Sequence, residues 1–426
     1  MSQTIACSDH ENPTMFRRQF LGSISAAAAL IPSLSLASES RSLIQSITPE
    51  TLRRNRDGQS ETWFHPRACM VPRGDGSSFA LMTMQWIRGS DYFGPVHWTR
   101  SDDQGTTWSD PEPIDALGRV PVPEHDGLMA GVCDVVPEYH AMSNTVLAMG
   151  HVVFYRGERF SSREQLSRYP VYTVRRSNGT WSERKILHWD DPRGSFIYTN
   201  NCGQRTVNAD GDIIMSLTFG ATSKNRSVAG VRCTFDGEQL NIVDVGPALT
   251  LNAGRGLLEP SVTRWNDRYY ITLRAEDGHG YVASSRDGLN YGEKRAWCWD
   301  DNTPIAMSTT QQHWVNHPQG LFLVYTREDK TNKNVMRWRA PLWIAQVDPE
   351  RLCLLRDTER IVLPMVGDGV DHPDEVALMG NFHVTDASPQ ETWVTVGEWI
   401  PKRSARGDLK MARIKWAEGK KVRSEE

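Results

Sequence analysis

Residues 101–108, Ser-Asp-Asp-Gln-Gly-Thr-Thr-Trp, constrain this chain more than any other stretch. The pattern Ser-x-Asp-x-Gly-x-Thr-Trp specifies a tight β-hairpin turn. The Asp103 carboxylate can accept hydrogen bonds from backbone N–H groups of the loop, and Gly105 can take the positive φ that other residues resist. The Ser and Thr hydroxyls can tie the turn to itself, while the Trp108 ring plugs the apolar space beneath it. The preceding Val96–Arg100 reads as the strand that enters the hairpin.

The turn recurs in weaker form. Ser285-Arg286-Asp287-Gly288-Leu289-Asn290-Tyr291 keeps a shorter version with Tyr in the Trp place. Arg176–Trp181 keeps Gly and Trp, and Cys233–Gly237 keeps only the turn. Six strand-like runs accompany these turns at broadly regular spacing: Ser78–Gln85, Asn144–His151, Asp212–Leu217, Arg268–Arg274, Gly320–Thr326 and Glu391–Val396. Each is expected to be the second strand of a repeated sheet, and no long segment of helical period follows residue 37. Repeats of roughly 50–75 residues of this kind predict an all-β propeller. The count gives a six-bladed β-propeller over residues 61–416, with seven blades as the alternative, a polar leading arm at 38–60 and a charged tail at 417–426.

The first residues have another purpose. Phe16-Arg17-Arg18-Gln19-Phe20-Leu21 resembles a twin-arginine export motif, followed by an Ala-rich apolar run and a small-residue cleavage site at Ser35-Leu36-Ala37. Residues 1–37 are therefore expected to be a signal peptide, with Met15 an alternative start, and the mature chain periplasmic or extracellular. The apolar run is too short and interrupted to span a bilayer, so no membrane association is expected after cleavage. Cys7 leaves with the leader, and Cys69, Cys133, Cys202, Cys233, Cys298 and Cys353 show neither C-x-x-C nor zinc spacing. A chain exported folded meets a reducing compartment first, so buried free thiols are expected. A formal charge of −4 gives no basic footprint for nucleic acid. No cofactor and no metal site follow from spacing, and a monomer is expected.

The eight-position turn is the Asp box, and the chain resembles the sialidase (neuraminidase) superfamily. Phe64-His65-Pro66-Arg67, placed before a Gly74-Asp75-Gly76 turn, sets Arg67 where the first arginine of the family's triad lies. Ala68-Cys69 stands where the family has Ile-Pro, so this part of the match is partial. Leu257-Leu258-Glu259-Pro260 followed by Tyr270-Ile271-Thr272-Leu273-Arg274 matches the family's order of Glu and then Arg. Arg339 in Arg337-Trp338-Arg339 is the third candidate, and Asp91 falls where the family carries its acid/base loop. The resemblance implies an exo-glycosidase acting on an acidic, sialic or uronic acid-containing glycan. Converging arginine forks would hold the sugar carboxylate, Glu259 would polarise a nucleophile and Asp91 would protonate the leaving group. No clear late tyrosine nucleophile is visible. Tyr155, His97, His151 and His313 are further catalytic candidates, and Gln312 and His383 further binding candidates. The same residue types suit a polysaccharide lyase or a rhamnosidase acting on uronate glycans, since Arg, His or Gln can neutralise a uronate while Tyr or His removes its C5 proton. A non-catalytic sugar-binding propeller is the third reading. The bland alternative makes Arg274–Glu259 a salt bridge within the blade stack and Asp91 an ordinary turn residue.

Overall fold

Each of the six strand runs becomes the second strand of an antiparallel sheet, and the six sheets form the blades of a β-propeller. The computed structural model describes residues 42–417 apart from 59–61, 90, 158, 161–163, 308 and 404–405. The expected signal peptide at 1–37 and all of the expected tail beyond residue 417 lie outside the described residues.

Blade 1 runs outward from Thr62–Pro72 through Ser78–Gly89 and Tyr92–Ser101 to Glu112–Pro113. Blade 2 follows with Leu128–His140, Thr145–Arg156, Pro170–Arg175 and Lys185–Ile186. In blade 3 the innermost position is shared by the short strands Ile197–Thr199 and Thr206–Val207, ahead of Ile213–Gly220, Ser227–Phe235 and Leu240–Val245. Blade 4 comprises Leu258–Trp265, Arg268–Arg274, Gly280–Ser285 and Arg295–Ala296. Blade 5 has His313–His317, Gly320–Tyr325, Leu342–Asp348 and Cys353–Leu354 as its main path. Blade 6 has Phe382–Ser388, Glu391–Gly397 and Leu409–Trp416.

The outer strand of blade 6 comes from the other end of the chain. Ile44–Arg53 pairs antiparallel with Leu409–Trp416, Ile44 opposite Trp416 and Arg53 opposite Leu409. The segment expected as a leading arm is therefore part of the propeller. Its polar stretches, Gln45-Ser46 and Thr48–Thr51, conceal this, because an outermost strand is left largely accessible to water.

The second strands of the blades read as continuous apolar runs because they are buried on both faces. Every residue of Ile213–Gly220 and of Gly320–Tyr325 is buried. The core is accordingly divided among the interfaces between blades. Leu147 and Met149 of blade 2 pack with Leu217 and Val231 of blade 3, and Trp297 of blade 4 with Trp314 and Leu323 of blade 5. The six cysteines among the described residues are free, with Cys298 half-buried and the other five buried.

The Ser101–Trp108 turn joins the third and fourth strands of blade 1. Asp103 accepts from Thr107 N at 2.8 Å and Ser101 Oγ at 2.9 Å, while Gly105, at φ 75°, donates its N–H to Ser101 Oγ at 2.7 Å. Trp108 donates Nε1–H to Gly105 O at 3.1 Å, and its ring meets Trp393 of blade 6 edge-on. The turn thus locks blade 1 to the closing blade, on the rim rather than at the axis. Asp287 and Ser285 build the same turn in blade 4.

Candidate functional site

Inner strands of the blades are interrupted where they reach the axis. In blade 1 the register slips between Phe64 and Arg67, in blade 2 between Cys133 and Val136, and in blade 4 between Leu258 and Ser261. Each slip holds one residue at positive φ: His65 at 53°, Asp134 at 59° and Glu259 at 39°; in blade 3 Asn201, just past Ile197–Thr199, takes 50°. A bulge re-aims a side chain that would otherwise lie within the sheet. All four side chains line one cavity of about 390 Å³ to which every blade contributes.

Six arginines line the same cavity, Arg168, Arg226, Arg255, Arg274, Arg337 and Arg339, against the three carboxylates of Asp91, Asp134 and Glu259. Two of the arginines have acidic partners. Arg274 is ion-paired with Glu259 and donates Nε–H to Thr309 Oγ1 at 2.9 Å; Arg255 donates Nε–H to Glu276 at 2.7 Å. Among the described residues Arg168, Arg226, Arg337 and Arg339 form no ion pair with a carboxylate. The Arg339 side chain donates Nε–H to Thr310 Oγ1 at 3.4 Å and rests where Gly380 leaves no side chain in its way. Burial, together with the like charges of Arg274 and Arg337, pushes the Arg339 pKa down to about 9. Burial with Arg255 and Arg168 beside it lowers that of Arg226 to about 10. A surplus of cations in a concave site waits for an anion.

Asp134 is the centre of the cavity floor. It accepts from Arg67 Nη2 at 2.7 Å, with His65 Nε2 at 3.5 Å and His151 Nδ1 at 3.9 Å. Burial would raise its pKa, but His65, Arg67 and His151 outweigh that and hold the carboxyl well below its usual range. Burial lowers both His65 and His151 to about 4, so both are neutral near pH 7. At Glu259, Arg274 overcomes burial and keeps the carboxylate ionised. Cys133 Sγ, Asp134 and His151 place donor atoms within 4.8 Å of one another, a set that could hold a metal ion, although the Arg67 guanidinium already occupies one Asp134 oxygen. Burial pushes the Cys133 thiol well up, so it is not poised as a thiolate.

Of the residues chosen from the sequence, the structure brings Asp91, Glu259, His151, Arg274 and Arg339 to the cavity. Asp91 stands exposed on the turn between the second and third strands of blade 1, at φ 57°. The expected convergence of Arg67 with Arg274 and Arg339 is corrected. Arg67 is fully buried beneath Asp134, with Nε and Nη1 left without partners, because the bulge at His65 turns that residue inward in its place. Tyr155 is buried behind the rim, its hydroxyl donating to Asp91 O at 3.3 Å and its ring under Arg119, so it braces the Asp91 turn. His97 lies on the third strand of blade 1, its Nδ1 on Pro95 O at 2.9 Å, outside the cavity. His313 and His383 pack edge to face beneath the floor at 4.8 Å, and Gln312 is tied to Thr272 between blades 4 and 5. These three sit on faces buried between blades. The sequence gives no signal that singles out Asp134, Asn201, Arg168, Arg226, Arg255 and Arg337 as site residues, and His65 enters it only as a neighbour of Arg67.

No family model and no curated protein matches the chain. Solved structures do match. A crystal structure of a protein of unknown function from Dyadobacter fermentans aligns with a TM-score of 0.61 at 13% identity, covering 88% of this chain and all of that one. The Hadza microbial sialidase Hz136 aligns with a TM-score of 0.58 at 14% identity over 86% of this chain and 68% of its own. Trypanosoma rangeli sialidase gives 0.59 at 13% identity over 86% of this chain and 59% of its own. At these identities the likeness establishes a sialidase-like six-bladed fold.

Proposed function

We propose that the protein is a carbohydrate-active enzyme that cleaves a glycosidic bond in an acidic glycan. One observation carries this reading: the cavity holds an excess of arginines, four of them without a carboxylate partner among the described residues, beside the ionised Asp134 and Glu259 and a neutral histidine. Arg274, Arg337 and Arg339 would take the sugar carboxylate, Arg274 already being oriented by Glu259. Asp91, on the rim, would deliver the proton to the departing oxygen. Neutral His151, backed by Asp134, would accept a proton from the attacking water. The balance is that of hydrolysis: water adds across the broken C–O bond, its hydroxyl to carbon and a proton to the leaving sugar.

A lyase is the second reading, favoured by the same neutral His151 near arginines that would acidify a C5 proton. Incubation with sialosides, oligouronates and their exo-linked sugars separates the readings. Reducing sugar without near-ultraviolet absorbance supports hydrolysis, and an unsaturated absorbing product supports the lyase. Arg339→Ala should cost binding of acidic sugars about 2–4 kcal/mol and neutral sugars far less; equal losses would remove the carboxylate clamp. Export is part of the proposal: with Arg17 and Arg18 both changed to Lys, the protein should stay in the cytoplasm.

A further inference from the structure

Arg168, Arg226 and Arg255 come from three blades and are held side by side by two backbone stitches, which meet where Arg226 packs against Gly220. Arg168 N donates to Phe196 O at 2.9 Å, Phe196 N to Gly220 O at 3.1 Å, and Arg226 N to Arg255 O at 2.8 Å. Leu257 N returns to Arg226 O at 2.9 Å. The stitch requires Gly256, at φ 84°, where a Cβ would stand 2.1 Å from Arg226 O. Arg255 is held by Glu276, whose second oxygen also accepts from Arg255 N at 3.0 Å. Neither other member has an acidic partner among the described residues. Arg226 is 9% exposed, and the Nε atoms of both Arg168 and Arg226 are buried without a hydrogen-bond partner. A single sugar carboxylate engages two or three guanidinium groups, and Arg274, Arg337 and Arg339 already supply that number. A second row of three is surplus to one anion.

We propose that the row Arg168–Arg226–Arg255 is a second anion-binding subsite, so that the preferred ligand carries anionic groups on two neighbouring sugars, as in an oligouronate or a sulfated uronate glycan. The proposal rests on the acidic-glycan reading above and narrows its substrate class. The first subsite holds one charged sugar at the Arg274 side, and the second holds its neighbour across blades 2 to 4. Cleavage between them would then require both anions in place.

Calorimetry with glucuronic acid, digalacturonic acid and neutral cellobiose tests this, with the thermal unfolding of each variant as the check on folding. The wild-type protein should bind the diuronate at least about tenfold more tightly than the monouronate, with a steeper dependence on salt. Arg168→Gln, and separately Arg226→Gln, should weaken the diuronate about tenfold and the monouronate less than about twofold. Equal affinity of the wild type for the two acids, or equal losses in the variants, overturns the second subsite and leaves the acidic-sugar reading standing. If neither acid binds better than cellobiose, the reading of the site as an acidic-glycan site fails, and the second subsite with it.

Discussion

Asp134→Asn tests the floor of the cavity with little steric disturbance. Asn matches Asp in size and tolerates the left-handed backbone at φ 59°, so the substitution removes charge and leaves the bulge in place. Arg67 is fully buried, and of its guanidinium nitrogens only Nη2 has a partner, which is Asp134. Removing one member of a fully buried ion pair costs about 3–5 kcal/mol, because the other charge is left uncompensated. The Asp134 side chain is 19% exposed and Asn still offers an acceptor, so the expected cost falls at or just below the lower end, about 2–3 kcal/mol. Urea-induced unfolding followed by tryptophan fluorescence measures it. The mechanism also predicts rescue: adding Arg67→Met to Asp134→Asn removes the orphaned charge and should recover most of the loss. A single variant within about 0.5 kcal/mol of wild type, or a double variant no better than the single, would refute the account.

Three further expectations follow from the same structure. His65 and His151 titrate near pH 4 when folded and near 6.5 when unfolded, so between those values the unfolded chain binds more protons; stability should be full above pH 6.5 and fall by up to about 1.4 kcal/mol per pH unit per histidine down to pH 4, read from urea midpoints across that range. Gly256→Ala drives a Cβ against Arg226 O and should cost about 1–3 kcal/mol while weakening binding of diuronates, whereas an unchanged melting temperature would contradict the stitch. Trp393→Ala empties a fully buried position beneath the Trp108 turn and should cost about 3–5 kcal/mol without altering ligand affinity, checked by denaturation alongside calorimetry.

The repeat was legible because its signals are local. A second strand buried on both faces must be a continuous apolar run, and the Ser-x-Asp-x-Gly turn needs its residues at fixed offsets, so both can be read without a partner. Glu259 and Arg274 were legible for a related reason, since their pairing spans one hairpin. The bulges leave only a faint trace in the sequence: Cys133-Asp134-Val135-Val136 and Leu258-Glu259-Pro260 each set a single acid in an apolar inner strand. Arg168, Arg226 and Arg255 were illegible because they stand on connections whose neighbours come from other blades, and nothing local distinguishes such an arginine from a solvated one. The strand Ile44–Arg53 was lost in the same way, since its partner lies at the opposite end of the sequence.

That last pairing also sets a clock on the molecule. A propeller whose final blade borrows its outermost strand from the beginning of the chain has no finished ring until the ribosome has released Leu409–Trp416. Until then Ile44–Arg53 is an unpartnered strand with exposed backbone donors and acceptors, and the face of blade 1 that later packs on Trp393 is bare. The nascent chain must keep that sticky end solvated until Leu409–Trp416 has been made. The polar residues Gln45, Ser46, Thr48, Glu50 and Thr51, which disguise the strand as a loop, are suited to that wait.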